Sequence, residues 1–411
     1  MKKTFLSVLA FAMITMPALA QESGSVPSIG TDELLNPIIT AFPSLTITPD
    51  AKSGGMGGVG VATAPDLNSQ HWNPAKYAFM ESHGGITASY TPWLRKLVSD
   101  IDLAYIAGYY KWDDVQGISA SFTYFSLGTV DLTGYDGQSL QKVKPNEWSI
   151  DVAYSRKLHE YVSMAVAARF MYSDLNNGHN TSVGNDGNEL NPAPMGAADI
   201  AIYYRQPFDL PMGTSYLSAG LNISNLGGKI SYDKHAHNSF IPANLRLGVQ
   251  YELPINQYNF LSFAIDINKL MVPSRKSKFA VDGNGDNVSV DDPQYQTKTM
   301  DWYNDLNPMK GLFQSFADAP GGAKEEFQEV QWSSGIEYSY DHKFFARVGY
   351  SHENKYKGNR QFVTFGAGFH LSIFSLDAAY YLATAPASPI DNTFQVTLGF
   401  DLAGIKDLVK K

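Results

Sequence analysis

The sequence predicts an all-β protein, a 14-stranded antiparallel transmembrane β-barrel. Three observations lead to this prediction: runs of alternating residues, unequal connections between them, and a composition low in charge and high in aromatic residues. In the last run, large apolar residues occupy the even positions from 394 to 402, and small or polar residues occupy the odd positions from 393 to 401. That two-residue period is typical of a β-strand with two different faces.

The connections distinguish a barrel from a soluble β-sandwich, which alternation alone would also fit. Short turns, such as 158–160 and 341–342, alternate with long connections, such as 174–196 and 269–329. Outer-membrane barrels have short periplasmic turns and longer extracellular loops, whereas a sandwich has no reason for this difference. We therefore expect both chain ends on the periplasmic side and 269–329 as the longest extracellular loop.

The predicted strands are even in number, as in bacterial single-chain barrels, and most are near the roughly 10 residues that a tilted strand needs to cross hydrocarbon. They are 85–91, 100–110, 117–126, 147–157, 161–173, 197–205, 215–224, 243–253, 258–268, 330–340, 343–351, 361–371, 374–383 and 392–402.

Composition points to the same class. Charged residues make up 17% of the chain and aromatic residues 13%, which suits a large lipid-facing surface with aromatic girdles. The chain has no cysteine, so disulfides, thiol catalysis and cysteine zinc sites are excluded. A net charge of -9 argues against nucleic acid as a partner.

The first 20 residues predict export. Lys2 and Lys3 precede an apolar run, and Ala18-Leu19-Ala20 forms a small-residue cleavage site, so 1–20 reads as a signal peptide. No later stretch approaches the length of a membrane-spanning helix, so an exported chain held in a membrane must be a closed barrel. The expected location is the cell outer membrane, with its lipid as the first partner.

A glycine-rich segment precedes the first strand. Gly55, Gly57 and Gly60 satisfy a dinucleotide-binding spacing, but no strand precedes them and no helix-forming run follows. We favour close packing of backbone at these glycines. The motif Gly55-Met56-Gly57-Gly58, followed by Asn73-Pro74-Ala75, resembles the N-terminal hatch of FadL-type outer-membrane proteins. The resemblance implies an arm and hatch at 21–83 in the barrel lumen, then the barrel at 84–402 and a periplasmic tail at 403–411.

Charged residues on predicted inward faces have two interpretations, since a charge facing lipid would be costly. They could line a pore, or pair with each other and with the hatch, and we favour the pairing. These residues are Arg169, Arg246, Glu252, Asp266, Glu337 and Arg347.

The longest loop contains a candidate calcium site. Asp282, Asn284 and Asp286 place oxygen ligands at alternate positions, as at the start of a calcium-binding loop. Asn287 replaces the usual glycine, and Pro293 stands where a bidentate glutamate belongs. Calcium stays open as a cofactor, with an acidic solvated turn as the favoured reading.

The same loop then becomes apolar, at spacings compatible with a short amphipathic helix interrupted near Pro308. It either packs over its own barrel mouth or contacts a partner or the membrane surface. The candidate partner-binding residues are Trp302, Tyr303, Leu306, Leu312, Phe313 and Phe316. His235 and His237 could bind a metal, although solvated loop histidines are the commoner case, and no catalytic nucleophile with a partner is evident.

A second resemblance covers nearly the whole chain after the signal peptide. The motifs at 315–322, 335–338, 347–350 and 357–360 resemble those of the PorV family, the FadL-like outer-membrane components of the type IX secretion system in Bacteroidetes. The sister PorQ proteins are the nearest alternative family, and the long loop and the chain length favour PorV.

The resemblance implies a protein without catalytic activity. Members of the family act as shuttles that receive cargo with a C-terminal sorting domain from the type IX translocon. They deliver it to the sortase-like PorU of the attachment complex. The alternative is a FadL-like transporter of long-chain fatty acids or other hydrophobic small molecules.

Overall fold

Fourteen strands form a closed antiparallel barrel in the computed structural model. The structure describes residues 35–402, apart from 96–97, 99, 134–138, 177–181, 184–187, 190, 233–237, 386–387 and 389. The predicted signal peptide, both loop histidines, His235 and His237, and the tail 403–411 lie outside the described residues.

Each barrel strand pairs with its neighbours in the sequence, and the last strand closes the barrel on the first, with Leu398 opposite Ala88. The strands are β1 Gly84–Pro92, β2 Ile101–Lys111, β3 Gln116–Leu127, β4 Asn146–His159, β5 Val162–Asp174, β6 Ala193–Leu210, β7 Gly213–Gly227, β8 Asn244–Pro254, β9 Asn259–Leu270, β10 Gln331–Tyr340, β11 Phe344–His352, β12 Phe362–His370, β13 Phe374–Ala383 and β14 Thr393–Asp401.

All fourteen predicted strands are confirmed, with one large difference in length. β6 continues to Leu210 and pairs with β7, so only residues 211–212 separate the two strands. Pro207 lacks an N–H donor, yet it lies within the β6–β7 pairing, two residues beyond the predicted end of the strand. Long connections and short turns thus alternate along the chain more regularly than predicted. We call the end of the barrel with the long connections the long-loop end, and the end with the short turns the short-turn end. Short hairpins extend three of the long loops, at Val130–Thr133 with Ser139–Val143, Ser182–Val183 with Asn188–Glu189, and Lys229–Ser231 with Asn238–Phe240.

The two faces of the wall divide as predicted. On β14, Phe394 and Phe400 are exposed on the outside, whereas Thr393 and Gln395 are buried inside. An apolar outer surface on a closed barrel suits contact with hydrocarbon, because closure pairs the strands with one another and leaves no open sheet edge.

The hatch, residues 35–79, fills the lumen with short helices: 3₁₀ turns at Pro43–Thr46 and Pro74–Phe79, α1 at Ala51–Gly54 and α2 at Ser69–Trp72. Its backbone N–H groups donate to side chains on separate parts of the wall. Those of Ala51 and Gly57 donate to Thr397 Oγ1 and Thr364 Oγ1, both at 2.8 Å. A filled lumen with bonds to several strands identifies the hatch as a fixed plug.

The predicted close packing of glycine backbone is confirmed where the hatch meets the wall. A Cβ atom on Gly349 of β11 would lie 2.0 Å from the carbonyl carbon of Met56, and one on Gly366 of β12 would lie 2.9 Å from Gly55 Cα. Gly57 adopts a positive φ of 75°, which glycine tolerates best. These glycines therefore allow backbone to meet backbone, in keeping with packing rather than dinucleotide binding.

The longest loop folds into four short helices: α3 Tyr295–Lys298, α4 Met300–Asp305, α5 Pro308–Gln314 and α6 Ala323–Gln328. The predicted interruption near Pro308 is confirmed, because α5 begins at that residue. The side chain of Asn307 caps α5 by accepting from Met309 N and Lys310 N. Among the described residues, no helix has the length and apolar character to cross a membrane.

Candidate functional site at the long-loop end

The inward charges lie in ion pairs within the wall. Arg347 on β11 donates to Glu337 Oε2 at 2.5 Å and to Asp377 Oδ1 at 2.6 Å, and its side chain is fully buried. Arg169 on β5 lies 3.0 Å from both Asp151 and Asp199. Buried charges of this kind are stable only when paired, so the favoured pairing of these residues is confirmed.

The other inward charges meet the hatch or the short-turn end. Asp266 Oδ2 accepts from Gly60 N at 2.7 Å and from Val61 N at 2.9 Å. The Arg246 guanidinium lies 4.9 Å from the ring centroid of Trp72. Glu252 lines a cavity of about 910 Å³ at the short-turn end of the barrel. Asp266 and Arg246 thus help to fix the hatch, whereas Glu252 faces the cavity at the short-turn end.

Half of the predicted partner-binding residues pack inside the loop. Tyr303 and Leu306 form a buried cluster with Phe240 and Val272, with Trp302 packed against it. Leu312 is buried with Ala243 and Met271, whereas Phe313 and Phe316 are exposed. The structure therefore leaves two of the six, with part of Trp302, for contact with another molecule.

A lysine–glutamate cluster ties the loop to the rest of the barrel mouth. Lys269 at the end of β9 lies 3.1 Å from Glu326 and 2.6 Å from Glu329. Lys357 lies 2.5 Å from Glu325 and 3.0 Å from Glu329. Because these side chains are largely buried and each lysine has two carboxylate partners, the cluster holds α6 in place. Sequence reasoning missed it, since its members are up to 88 positions apart and nothing local connects them.

Asp318 stands beside this cluster, with Glu326 and Glu329 close enough for the three carboxylates to hold a cation. Lys269 already donates to both glutamates, so an ammonium group occupies the position a metal would take. Asp318 Oδ2 accepts from Ser274 N at 2.7 Å, and burial raises the pKa of Asp318 to about 7. The neighbouring Glu329 and Glu326 carboxylates contribute to this rise, so Asp318 is about half protonated near neutral pH.

We expect Asp318 to make the protein less stable as the pH rises. The folded chain keeps this proton up to about pH 7, whereas an unfolded chain releases it near its ordinary value of 3.8. Between these values the folded state binds more protons, so stability falls as pH rises, by about 1.4 kcal/mol per unit of pKa difference. Asp318→Asn should remove this slope and be more stable than the wild type at pH 8. Urea unfolding at pH 5 and pH 8 measures the effect, and equal slopes for both proteins would contradict it.

The candidate calcium residues form a turn closed by its own backbone. Asp282 Oδ1 accepts from Asn284 N at 2.8 Å and from Asp286 N at 3.0 Å. These hydrogen bonds from the backbone lower the pKa of Asp282, so it stays ionised at neutral pH. This geometry favours the acidic solvated turn. Calcium binding by Asp282, Asn284 and Asp286 stays a prediction, which calcium titration of the purified protein tests.

An apolar cavity of about 500 Å³ opens at the long-loop end, where the hatch meets the first and last loops. Its apolar lining comes from Ile47, Trp93, Ile101, Phe125, Leu127 and Ile390. A space of this size and character can hold a small hydrophobic molecule.

The fold and the loop geometry can now be compared with known proteins. The model of the type IX secretion system protein PorV matches residues 31–277, more than half of the chain. The chain belongs to the PorV family. No curated relative matches it. As a PorV-family barrel, it is an outer-membrane component of type IX secretion.

Solved structures share the barrel architecture at low sequence identity. The TodX deltaS2S3 mutant, a monoaromatic hydrocarbon channel, is 12% identical over 85% of this chain and 97% of its own, with a TM-score of 0.48. The Ralstonia pickettii toluene transporter TbuX is 12% identical over 85% and 96%, with a TM-score of 0.45. A Pseudomonas aeruginosa FadL homologue is 11% identical over 86% and 98%, with a TM-score of 0.43. Similarity at this level bears on neither substrate nor mechanism.

Proposed function

We propose that this PorV-family barrel is a cargo shuttle at the outer membrane. It binds proteins that carry a C-terminal sorting domain at the type IX translocon and delivers them to the sortase-like PorU of the attachment complex. The observation that supports this proposal most is the filled lumen, because a hatch bonded to separate wall strands leaves a folded cargo domain only the loops to contact. We assign no catalytic step to the chain.

The long loop has the rigidity that a docking surface needs. Lys229 Nζ donates to the carbonyl oxygens of Tyr303 and Asn304, at 3.2 Å and 2.7 Å, which fixes α4 to the preceding loop. Ile38 of the hatch packs against the same cluster as Trp302, so α4 lies over the barrel mouth. We assign cargo contact to the exposed surface of α4, which includes Met300 and part of the half-buried Trp302. Apolar side chains on a preorganised surface favour binding because little ordering is needed.

Met300→Glu tests this assignment better than removal of 300–316, since Tyr303, Leu306 and Leu312 within that segment are packed against the barrel. A charge at the centre of an apolar contact should weaken cargo capture on the order of tenfold. Met212→Glu is the matched control, because Met212 is an exposed methionine at the short-turn end.

The measurement is recovery of sorting-domain cargo with the tagged barrel from outer membranes, together with surface attachment of that cargo. Both variants should reach the membrane as folded barrels. The proposal for α4 would be wrong if the Met300→Glu strain captured and attached cargo like the Met212→Glu strain.

The apolar cavity supports one alternative, transport of a long-chain fatty acid or a similar molecule. Binding of a radiolabelled fatty acid to the purified protein, lost in Phe125→Asp and kept in Met300→Glu, would favour that alternative.

A further inference from the structure

The helix α5 packs against the outer side of the barrel wall. Leu312 of α5 belongs to a cluster with Met271, and the side chains of Ile223 and Leu245 pack against that cluster. Ile223 of β7 lies opposite the exposed Ile200 of β6 and therefore shares its outward face. Leu245 of β8 is two residues from the exposed Leu247, so it also faces outward. The loop thus covers the upper end of the lipid-facing surface.

Lys269 lies at the rim of the barrel, next to α6. It lies two and four residues after Ile267 and Ile265 on β9, so it is on the same outward face as these two exposed residues. Yet Lys269 is buried, because Glu326 and Glu329 pair with its ammonium group at the rim of the barrel. The ring of Phe316 also lies over this ammonium, at 5.7 Å. Therefore α5 lies against the outward face of the wall, and ion pairs hold α6 at the rim.

A stripe of apolar side chains remains exposed on this covering layer. Met309 and Phe313 on α5, and Phe316 two residues beyond its end, are 58%, 75% and 44% exposed. They follow one another at intervals of four and three residues, the spacing of one side of a helix. Phe327 on α6 is 79% exposed, and Lys310 is an exposed lysine within α5. We name Met309, Phe313, Phe316 and Phe327 the rim stripe. Aromatic side chains beside a lysine are the composition of segments that lie in a membrane interface.

We propose that the rim stripe inserts into the membrane leaflet that borders the long-loop end, and so anchors the longest loop to the lipid around its own barrel. The rim stripe continues an established lipid-facing surface: Ile267 on β9 and Trp332 on β10 are exposed on the outward face just below Lys269. A protein partner there would have to displace lipid from this band. The inference rests on the barrel and its outward face, and holds whether or not α4 contacts cargo.

Site-directed spin labelling in lipid nanodiscs tests this proposal, since the chain contains no cysteine and a single one can be introduced. A nitroxide at Phe313→Cys should be accessible to dioxygen and shielded from a water-soluble nickel chelate, at a depth of about 5–10 Å into the headgroup and acyl boundary. The matched controls are Ile265→Cys in the middle of the outward face and Asp286→Cys in the exposed acidic turn. The label at position 265 should report hydrocarbon, and the label at position 286 should report water.

The result that overturns the proposal is a label at position 313 that matches the one at 286. A label that is exposed to nickel in nanodiscs and becomes shielded only when secretion partners are added would identify a protein interface and also overturn it. Because Phe313 is three-quarters exposed, its replacement removes little packing, and a folded barrel is expected in each variant.

Discussion

Arg347→Met is expected to destabilise the barrel by about 3–5 kcal/mol, the usual cost of removing one partner from a buried ion pair. The Arg347 side chain is fully buried, and its two partners, Glu337 and Asp377, lie at 2.5 Å and 2.6 Å on neighbouring parts of the wall. Methionine fills much of the same volume but leaves two carboxylates without their cation. Of these, Asp377 also has His370 Nε2 at 3.0 Å. Urea unfolding of the barrel in lipid vesicles measures the loss.

The controls for this variant separate charge burial from volume. Lys343→Met removes an exposed ion pair with Asp341 at the turn before β11, where water screens the charges, and little change is expected. Combining Arg347→Met with Glu337→Leu and Asp377→Leu should recover much of the loss, because an apolar triad needs no desolvation of charge. An Arg347→Met barrel as stable as the wild type would show that the ion pairs contribute nothing net.

Two ion pairs of the wall could have been predicted from the sequence. Glu337 and Arg347 stand directly opposite each other in the β10–β11 hairpin, and Asp151 stands opposite Arg169 in the β4–β5 hairpin. A short turn fixes which residues of its two strands stand opposite each other. The position of the turn and the inward face of each strand are therefore enough to predict each pair. Alternation along one strand identifies an inward charge, and only the turn shows which two inward charges meet.

The remaining partners could not be found in this way. Asp377 lies on β13, which does not pair with β11, and Asp199 lies on β6 beyond a long connection. The pairing of strands across a long loop, and the curvature that brings non-adjacent strands together, depend on closure of the whole barrel. Strand positions and faces were predictable because the two-residue period is local, whereas these contacts are not.

The long loop shows the same limit. Leu312 and Phe313 are neighbours in one apolar run, yet one is buried against Met271 and the other is exposed. A helical period marks a possible apolar face but does not say which part meets the protein and which part meets lipid or a partner. That division is decided by residues 41 and more positions away, such as Met271 and Ile223. The sequence therefore predicts which loop carries the site, but not which side chains of that loop are exposed.

Gly349→Val is expected to displace the hatch and open a conducting path through the barrel. A Cβ at position 349 would lie 2.0 Å from the carbonyl carbon of Met56 and 2.1 Å from Gly57 N, and these backbone atoms cannot rotate away as a side chain would. Forcing extra atoms into a packed interior costs about 1–3 kcal/mol or more. The hatch is held to the wall by individual hydrogen bonds, such as that from Gly57 N to Thr364, so a shift at Gly57 loosens it before the wall itself unfolds.

Single-channel conductance in planar bilayers measures whether a conducting path has opened, and the urea concentration at the unfolding midpoint measures the loss of stability. Gly196→Val is the matched control: Gly196 is also a wall glycine, on β6, but a Cβ there meets no atom within 4 Å. The wild type and Gly196→Val should conduct alike, with Gly349→Val higher. If Gly349→Val conducted no more ions than Gly196→Val and unfolded at the same urea concentration, the glycine contact could not be what seats the hatch. A higher conductance in Gly349→Val alone would instead show that the plug is retained by backbone-to-backbone fit, since the three atoms nearest the added Cβ are backbone atoms of Met56 and Gly57.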